Sequence, residues 1–97
     1  MAEENVITGK TKDGFEYKID KRLMNDWRLL SFISLTESSV PTDQIRGASG
    51  LVTLLLGDQE QALMEFLKEK NDGFVPVEAV TDVLAEIITA TKEVKNL

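Results

Sequence analysis

Leu51-Val52-Thr53-Leu54-Leu55-Leu56-Gly57-Asp58-Gln59-Glu60-Gln61 is the stretch on which the reading of the fold turns. Five of its first six residues are apolar, and so dense a run belongs inside a protein. Gly57 is the residue type that ends a helix in left-handed backbone without a Cβ penalty. Asp58 then offers a side-chain oxygen to the free N–H groups of a new helix, and Gln61 can complete a capping box. The stretch predicts a buried helix end, a one-residue hinge and a second helix running from Asp58 to about Lys70.

Upstream, Val6-Ile7-Thr8-Gly9-Lys10-Thr11 is rich in β-branched residues, and Phe15-Glu16-Tyr17-Lys18-Ile19 alternates apolar and polar. Asp13-Gly14 between them signals a hairpin over residues 6–19, with Phe15, Tyr17 and Ile19 on one face. That face should lie on the helices or meet another chain, and nothing in the sequence covers both hairpin edges. Asp20 reads as the cap of a first helix from Lys21 to about Glu37. Its apolar residues Leu23, Met24, Trp27, Leu29, Leu30, Phe32, Ile33 and Leu35 exceed one stripe, so this helix is expected to be central. Trp27, the sole tryptophan, then reads first as a core aromatic and second as a partner-binding anchor. Pro41 opens the next helix, over about Thr42 to Leu56. Inside it, Gly47-Ala48-Ser49-Gly50 favours close approach of another helix, since no phosphate-binding glycine motif is present.

Downstream, Ala62, Leu63, Phe66 and Leu67 form one stripe, with Met64 off it toward solvent. A flexible thioether there suits an adaptable binding surface. Gly73 or Asn71 should supply the left-handed stop, and Pro76 the first turn of a last helix. Along that helix Val77, Val80, Leu84, Ile87, Thr91 and Val94 step by three and four, an amphipathic pattern. The expected class is α+β, mostly α: an N-terminal β-hairpin and a compact bundle of four helices over residues 20–94. Residues 1–5 and 95–97 are expected to be loose.

Ninety-seven residues with 42% hydrophobic and 29% charged content make one globular domain. Without cysteine or histidine, thiolate chemistry and the usual zinc, iron and copper ligand sets have no residues. Serine catalysis lacks its usual base, and no calcium-loop motif or carboxylate pair in a cleft is legible. A non-enzyme without cofactor is expected. The net charge is −6, with the excess acid in residues 51–97, which disfavours binding to phosphate backbones. No run suits a membrane span and Met1-Ala2-Glu3-Glu4 is no signal peptide, so a cytoplasmic protein is expected. Trp27, Met64 and Phe74 are the candidates for contact with a protein partner.

Several stretches together resemble the small tail assembly chaperones of long-tailed bacteriophages and prophages of Gram-positive bacteria. They are Thr11-Lys12-Asp13-Gly14-Phe15-Glu16-Tyr17, Asn25-Asp26-Trp27-Arg28-Leu29-Leu30, Val52-Thr53-Leu54-Leu55-Leu56-Gly57-Asp58-Gln59-Glu60, Gly73-Phe74-Val75-Pro76 and the final amphipathic helix. The resemblance implies a mostly helical protein that binds the tape measure protein during virion morphogenesis. It also implies help in recruiting tail-tube subunits, action in the host cytoplasm and absence from the mature particle. It carries no site residues over to this chain. A homo-oligomer is compatible with the pattern. Two rivals remain at this level: an acidic module that regulates a nucleic-acid-binding protein, and a minor tail or head–tail joining protein.

Overall fold

β1 (Val6–Lys10) and β2 (Glu16–Asp20) form an antiparallel hairpin in which Gly9 lies opposite Tyr17 and Ile7 opposite Ile19. The computed structural model describes the backbone of residues 5–95 and the side chains of residues 5–91. Of the residues expected to be loose, 1–4 and 96–97 lie outside that description, as does the side chain of Val94, while Lys95 instead continues the last helix. The hairpin closes through Asp13-Gly14, as its sequence predicts. The Gly14 N–H donates to the Thr11 carbonyl at 2.9 Å and the Thr11 N–H to the Phe15 carbonyl at 2.9 Å. Gly14 has φ +107°, a conformation that L side chains avoid. The buried Thr11 hydroxyl accepts the Phe15 N–H, so its polarity is satisfied. Phe15, Tyr17 and Ile19 all point inward and are buried.

Four α-helices follow among the described residues: α1 (Trp27–Thr36), α2 (Pro41–Leu56), α3 (Glu60–Lys70) and α4 (Val77–Lys95). The class is therefore a mostly helical α+β fold. A radius of gyration of 13.3 Å matches a folded chain of this length.

α2, not the first helix, is the centre. It touches α1, α3, α4 and β2, and it buries Leu51, Val52, Leu55 and Leu56. Each such side chain contributes roughly 1.5–3 kcal/mol by leaving water. Gly47 and Gly50 explain how α1 comes so near. A Cβ on Gly47 would stand 2.5 Å from the Phe32 carbonyl oxygen, and one on Gly50 would meet the Phe32 ring. The small-residue segment is thus a helix-packing device.

The predicted first helix is split. Lys21–Asn25 is a 3₁₀ segment capped by Asp20, and α1 starts afresh at Trp27 with Asp26 as its cap. Two aspartates in succession each offer an acceptor to a backbone N–H two residues on, and a second cap interrupts the helix that the first begins. Fully buried residues in this region are only Met24 and Leu29. Trp27 and Leu30 face solvent. The surplus of apolar residues marks exposed surface, not a central position.

The hinge is also longer than one residue. Gly57 ends α2 with φ +53°, its N–H on the Thr53 carbonyl, and a 3₁₀ turn over Gly57–Gln59 precedes α3. α3 begins at Glu60 without a side-chain cap, so the Asp58–Gln61 capping box does not form. Continuous turn hydrogen bonding occupies the groups that a cap would serve, and Gln59 is held elsewhere. On α3, Leu63 and Leu67 are buried and Ala62 is exposed. The Phe66 ring packs against Phe15 with centroids 5.6 Å apart, which fastens α3 to the hairpin. The helix ends with Asp72 at φ +59° and Gly73 at φ +97°, not with Asn71. The Gly73 N–H reaches the Lys68 carbonyl at 2.8 Å, and the Asn71 amide returns to the Leu67 carbonyl. In α4, Val83, Leu84, Ile87 and Thr91 are buried while Val77 is exposed. The buried Thr91 hydroxyl donates to the Ile87 carbonyl at 2.7 Å.

Candidate functional site

Trp27 owes its position to a local electrostatic clamp. Asp26 Oδ1 accepts the Arg28 N–H at 2.8 Å, and the Arg28 guanidinium grips the same carboxylate through Nε at 3.0 Å and a terminal nitrogen at 2.8 Å. Those bonds hold the Asp26 carboxyl well below its ordinary range, at about 2. With Asp26 as cap, Trp27 is the first helical residue, and its indole stands in solvent. It is 80% exposed. Leu30, one turn on and 53% exposed, continues the same ridge.

Asp20 and Arg22 repeat the arrangement six residues earlier. Asp20 Oδ1 accepts the Arg22 N–H at 3.0 Å, and the guanidinium lies on both carboxylate oxygens. Arg22 lowers the Asp20 pKa by the same kind of bond. The spacing Asp-x-Arg, present at 20–22 and again at 26–28, was the available signal for the split helix. Reading Asp20 alone as a cap misses it.

Of the other candidates for partner contact, Phe74 is 63% exposed in the loop before α4, beside the exposed Val77. Met64 is not presented to solvent. It is half-buried and packs against the core, because α3 turns that side toward its neighbours. The core-aromatic reading of Trp27 is overturned, and sequence reasoning left Ile45, 58% exposed on α2, and Val40 unremarked.

The groove nearest Trp27 runs between α1 and α2. It has a volume of about 620 Å³ and is lined by Leu23, Arg28, Phe32, Ser49, Gly50, Thr53 and Leu54. Its floor exists because Gly50 leaves room for the Phe32 ring. Leu23 and Leu54 give it apolar walls, and Arg28 provides a charged rim already committed to Asp26. Such a surface can bury an apolar side chain of a partner.

Elsewhere, burial raises the pKa of the Tyr17 phenol, and the nearby Glu86 carboxylate adds to the rise. Among the described residues no three acidic side chains converge on one point. No described helix is long and apolar enough to cross a membrane.

No family model matches this chain, and neither a curated protein nor a solved structure does.

Proposed function

We propose that this chain is a tail assembly chaperone of a long-tailed bacteriophage or prophage, which binds the tape measure protein through the Trp27–Leu30 ridge and the adjoining α1–α2 groove. The reading has two supports. One is the ordered resemblance that runs from Thr11-Lys12-Asp13-Gly14 to the last helix. The other, which carries the assignment of the surface, is the 80% exposure of the only tryptophan. A side chain of that size left in water forgoes substantial burial, and aromatic anchors dominate protein interfaces. The net charge of −6 keeps a protein with such a surface soluble while it holds an aggregation-prone partner.

In this role the chain acts by contact alone, in the host cytoplasm, with tail-tube subunits recruited to the complex and the chaperone left out of the finished particle. Co-expression with a phage tape measure protein tests the reading. The expected result is a higher soluble fraction of tape measure protein, co-purification of the two chains, and loss of both effects with Trp27→Ala. If the tape measure protein is equally soluble with and without this chain, and nothing co-purifies, the function is refuted.

A further inference from the structure

α1 and α4 both pack near α2 but scarcely meet each other, and a groove of about 250 Å³ lies between them. Its floor is Ala48, Leu51 and Leu84, all buried. Ile33 and Thr36 form the α1 wall, and Thr81, Ala85, Ile88 and Thr89 the α4 wall. The Thr36 hydroxyl donates to the Ile33 carbonyl at 2.6 Å, and the Thr81 hydroxyl to the Glu78 carbonyl at 3.0 Å. Both hydroxyls are spent on their own helices, so the walls there are apolar. Val77, exposed one turn before Thr81, prolongs the α4 wall. From Val77 to Ile88 the track runs about 16 Å along the helix.

No lining side chain is charged, but the rims carry acid. Glu37 lies one turn beyond Ile33 on α1, Glu78 one turn before Thr81 and Asp82 one turn before Ala85, and all three are exposed. None of them forms an ion pair with a described residue. Glu37 stands at the C-terminal end of α1, where the helix dipole disfavours a carboxylate, so its charge does not serve the helix. The other described charges on these helices are engaged or face elsewhere. Arg28 is paired with Asp26, Asp43 accepts the Ser38 hydroxyl and Glu86 accepts the Lys12 N–H. Arg46, two residues before Ala48, is turned to the other side of α2. Lys92 and Lys95 come after Ile88, about 15 Å or more along α4 from Asp82.

From this arrangement we infer that the α1–α4 groove is a docking site for one basic amphipathic helix of a protein partner. Its apolar residues, spaced by three and four, lie over Ala48 and Leu51 between Ile33 and Ile88. Flanking Lys or Arg residues reach Glu37 on one rim and Glu78 and Asp82 on the other. The helical form follows from the walls. Both are helices whose backbone groups are bonded internally, so an extended segment would bury its own N–H and C=O groups unpaired, whereas a helix satisfies them itself. A second copy of this chain would set acid against acid, on a protein of net charge −6. A small molecule is a poorer fit, since such sites run to about 300–1,000 Å³. The groove is distinct from the Trp27–Leu30 ridge and the α1–α2 groove.

The test titrates the full chain, isotope-labelled, with a capped synthetic peptide of Ala, Leu and Lys, about fifteen residues long so that it can be helical, its leucines spaced by three and four. It needs no tape measure protein, so its failure is distinguishable from failure of the proposed function. The expected result is a saturable change in the methyl signals of Ile33, Ala48, Leu51, Ala85 and Ile88. Glu78→Gln combined with Asp82→Asn should weaken binding by roughly two- to thirtyfold, added salt should weaken it too, and a peptide with Glu in place of Lys should not bind. Ala85→Arg, at an exposed position, should block the groove and abolish binding. The charge variant keeps the test decisive even if that one is unfolded. Unchanged methyl signals at those five residues with excess peptide overturn the inference, as do changes confined to Phe32, Gly50 and Leu54 of the α1–α2 groove. Equal binding of the Glu peptide, or an affinity indifferent to the charge variant, also overturns it. A free chain already dimeric through Ala85 and Ile88 does so in favour of self-pairing.

Discussion

α1 and α2 lie side by side, are joined by a short turn and are both rich in large apolar residues, yet they use them in opposite ways. α2 turns Leu51, Val52, Leu55 and Leu56 into the core and is touched on several sides. α1 buries Leu29 fully, leans Phe32 and Ile33 against its neighbour, and holds Trp27 and Leu30 out in water. The difference lies in neighbours, not in composition. Gly47 and Gly50 draw α1 onto one flank of α2, and that flank covers only one side of α1. An apolar residue on the remaining side has nothing to pack against. Apolar content therefore marks the centre of a fold only when every face has a neighbour to meet.

The strongest way to break the contrast is to cut the same group from each helix. Leu56→Ala removes a side chain that is 2% exposed and leaves a cavity, so it should destabilise by about 2–5 kcal/mol. Leu30→Ala removes one that is 53% exposed, and should change stability by no more than about 0.5 kcal/mol. Urea midpoints of the two variants measure both. Equal losses would mean that α1 is buried in solution and that the assignment of its outer ridge is wrong.

Next in size is the spacing between the helices. Gly47→Ala gains up to about 1 kcal/mol of helix propensity, but its new methyl group would meet the Phe32 carbonyl, which is backbone and cannot turn aside. Overpacking of that kind costs roughly 1–3 kcal/mol, so the net effect should be destabilising. Gly50→Ala meets only the Phe32 ring, which can rotate. It should be milder, and should narrow the groove beside Trp27. Thermal melts of the pair test the ordering, and a milder Gly47→Ala would reverse it.

What the sequence discloses and what it withholds follow the same line. The hairpin, its Asp13-Gly14 turn, the inward Phe15, Tyr17 and Ile19, and the close packing at Gly47 and Gly50 are local patterns with local causes, and they are legible. So is the class of the fold. The split of the first helix was encoded too, in Asp20-Lys21-Arg22 and Asp26-Trp27-Arg28, but it is seen only when the arginine is read together with the cap. Gln59 is different. Its pairing with Lys18 joins residues forty-one apart in the chain, and a capping pattern at Asp58-Gln59-Glu60-Gln61 competes for the same interpretation. The exposure of Trp27 and the half-burial of Met64 were illegible for a related reason. Each depends on which neighbours arrive, and periodicity within one helix does not say.

Smaller still is the effect of acid on the start of α1. Asp26 has its folded-state pKa lowered from 3.8 to about 2, chiefly by the Arg28 side chain. A depressed carboxylate stabilises the fold above its unfolded pKa, and that contribution disappears as pH falls through the folded value. The cap and clamp should therefore hold at pH 5 and above, and loosen between about pH 4 and pH 2. Asp20, lowered in the same direction by Arg22, likewise loses its contribution as the pH falls. The Arg28 N–H donates to Asp26, so its amide chemical shift should change in that window. Asp26→Asn keeps an acceptor for the Arg28 N–H but loses the ion pair, and should flatten the change. A profile unaltered by Asp26→Asn would show that other carboxylates control it.

The smallest expected effect is the one most informative about function. Trp27→Ala should leave stability within about 0.5 kcal/mol, because an indole that is 80% exposed contributes little to the core. Its emission should be that of a solvated indole, open to aqueous quenchers and scarcely altered by unfolding. On binding the tape measure protein it should shift to the blue and become shielded, while a mock partner leaves it unchanged. Stability and binding should thus separate between two positions, Leu56 governing the first and Trp27 the second. A Trp27→Ala chain that is destabilised by several kcal/mol would return that side chain to the core and erase the contrast between α1 and α2.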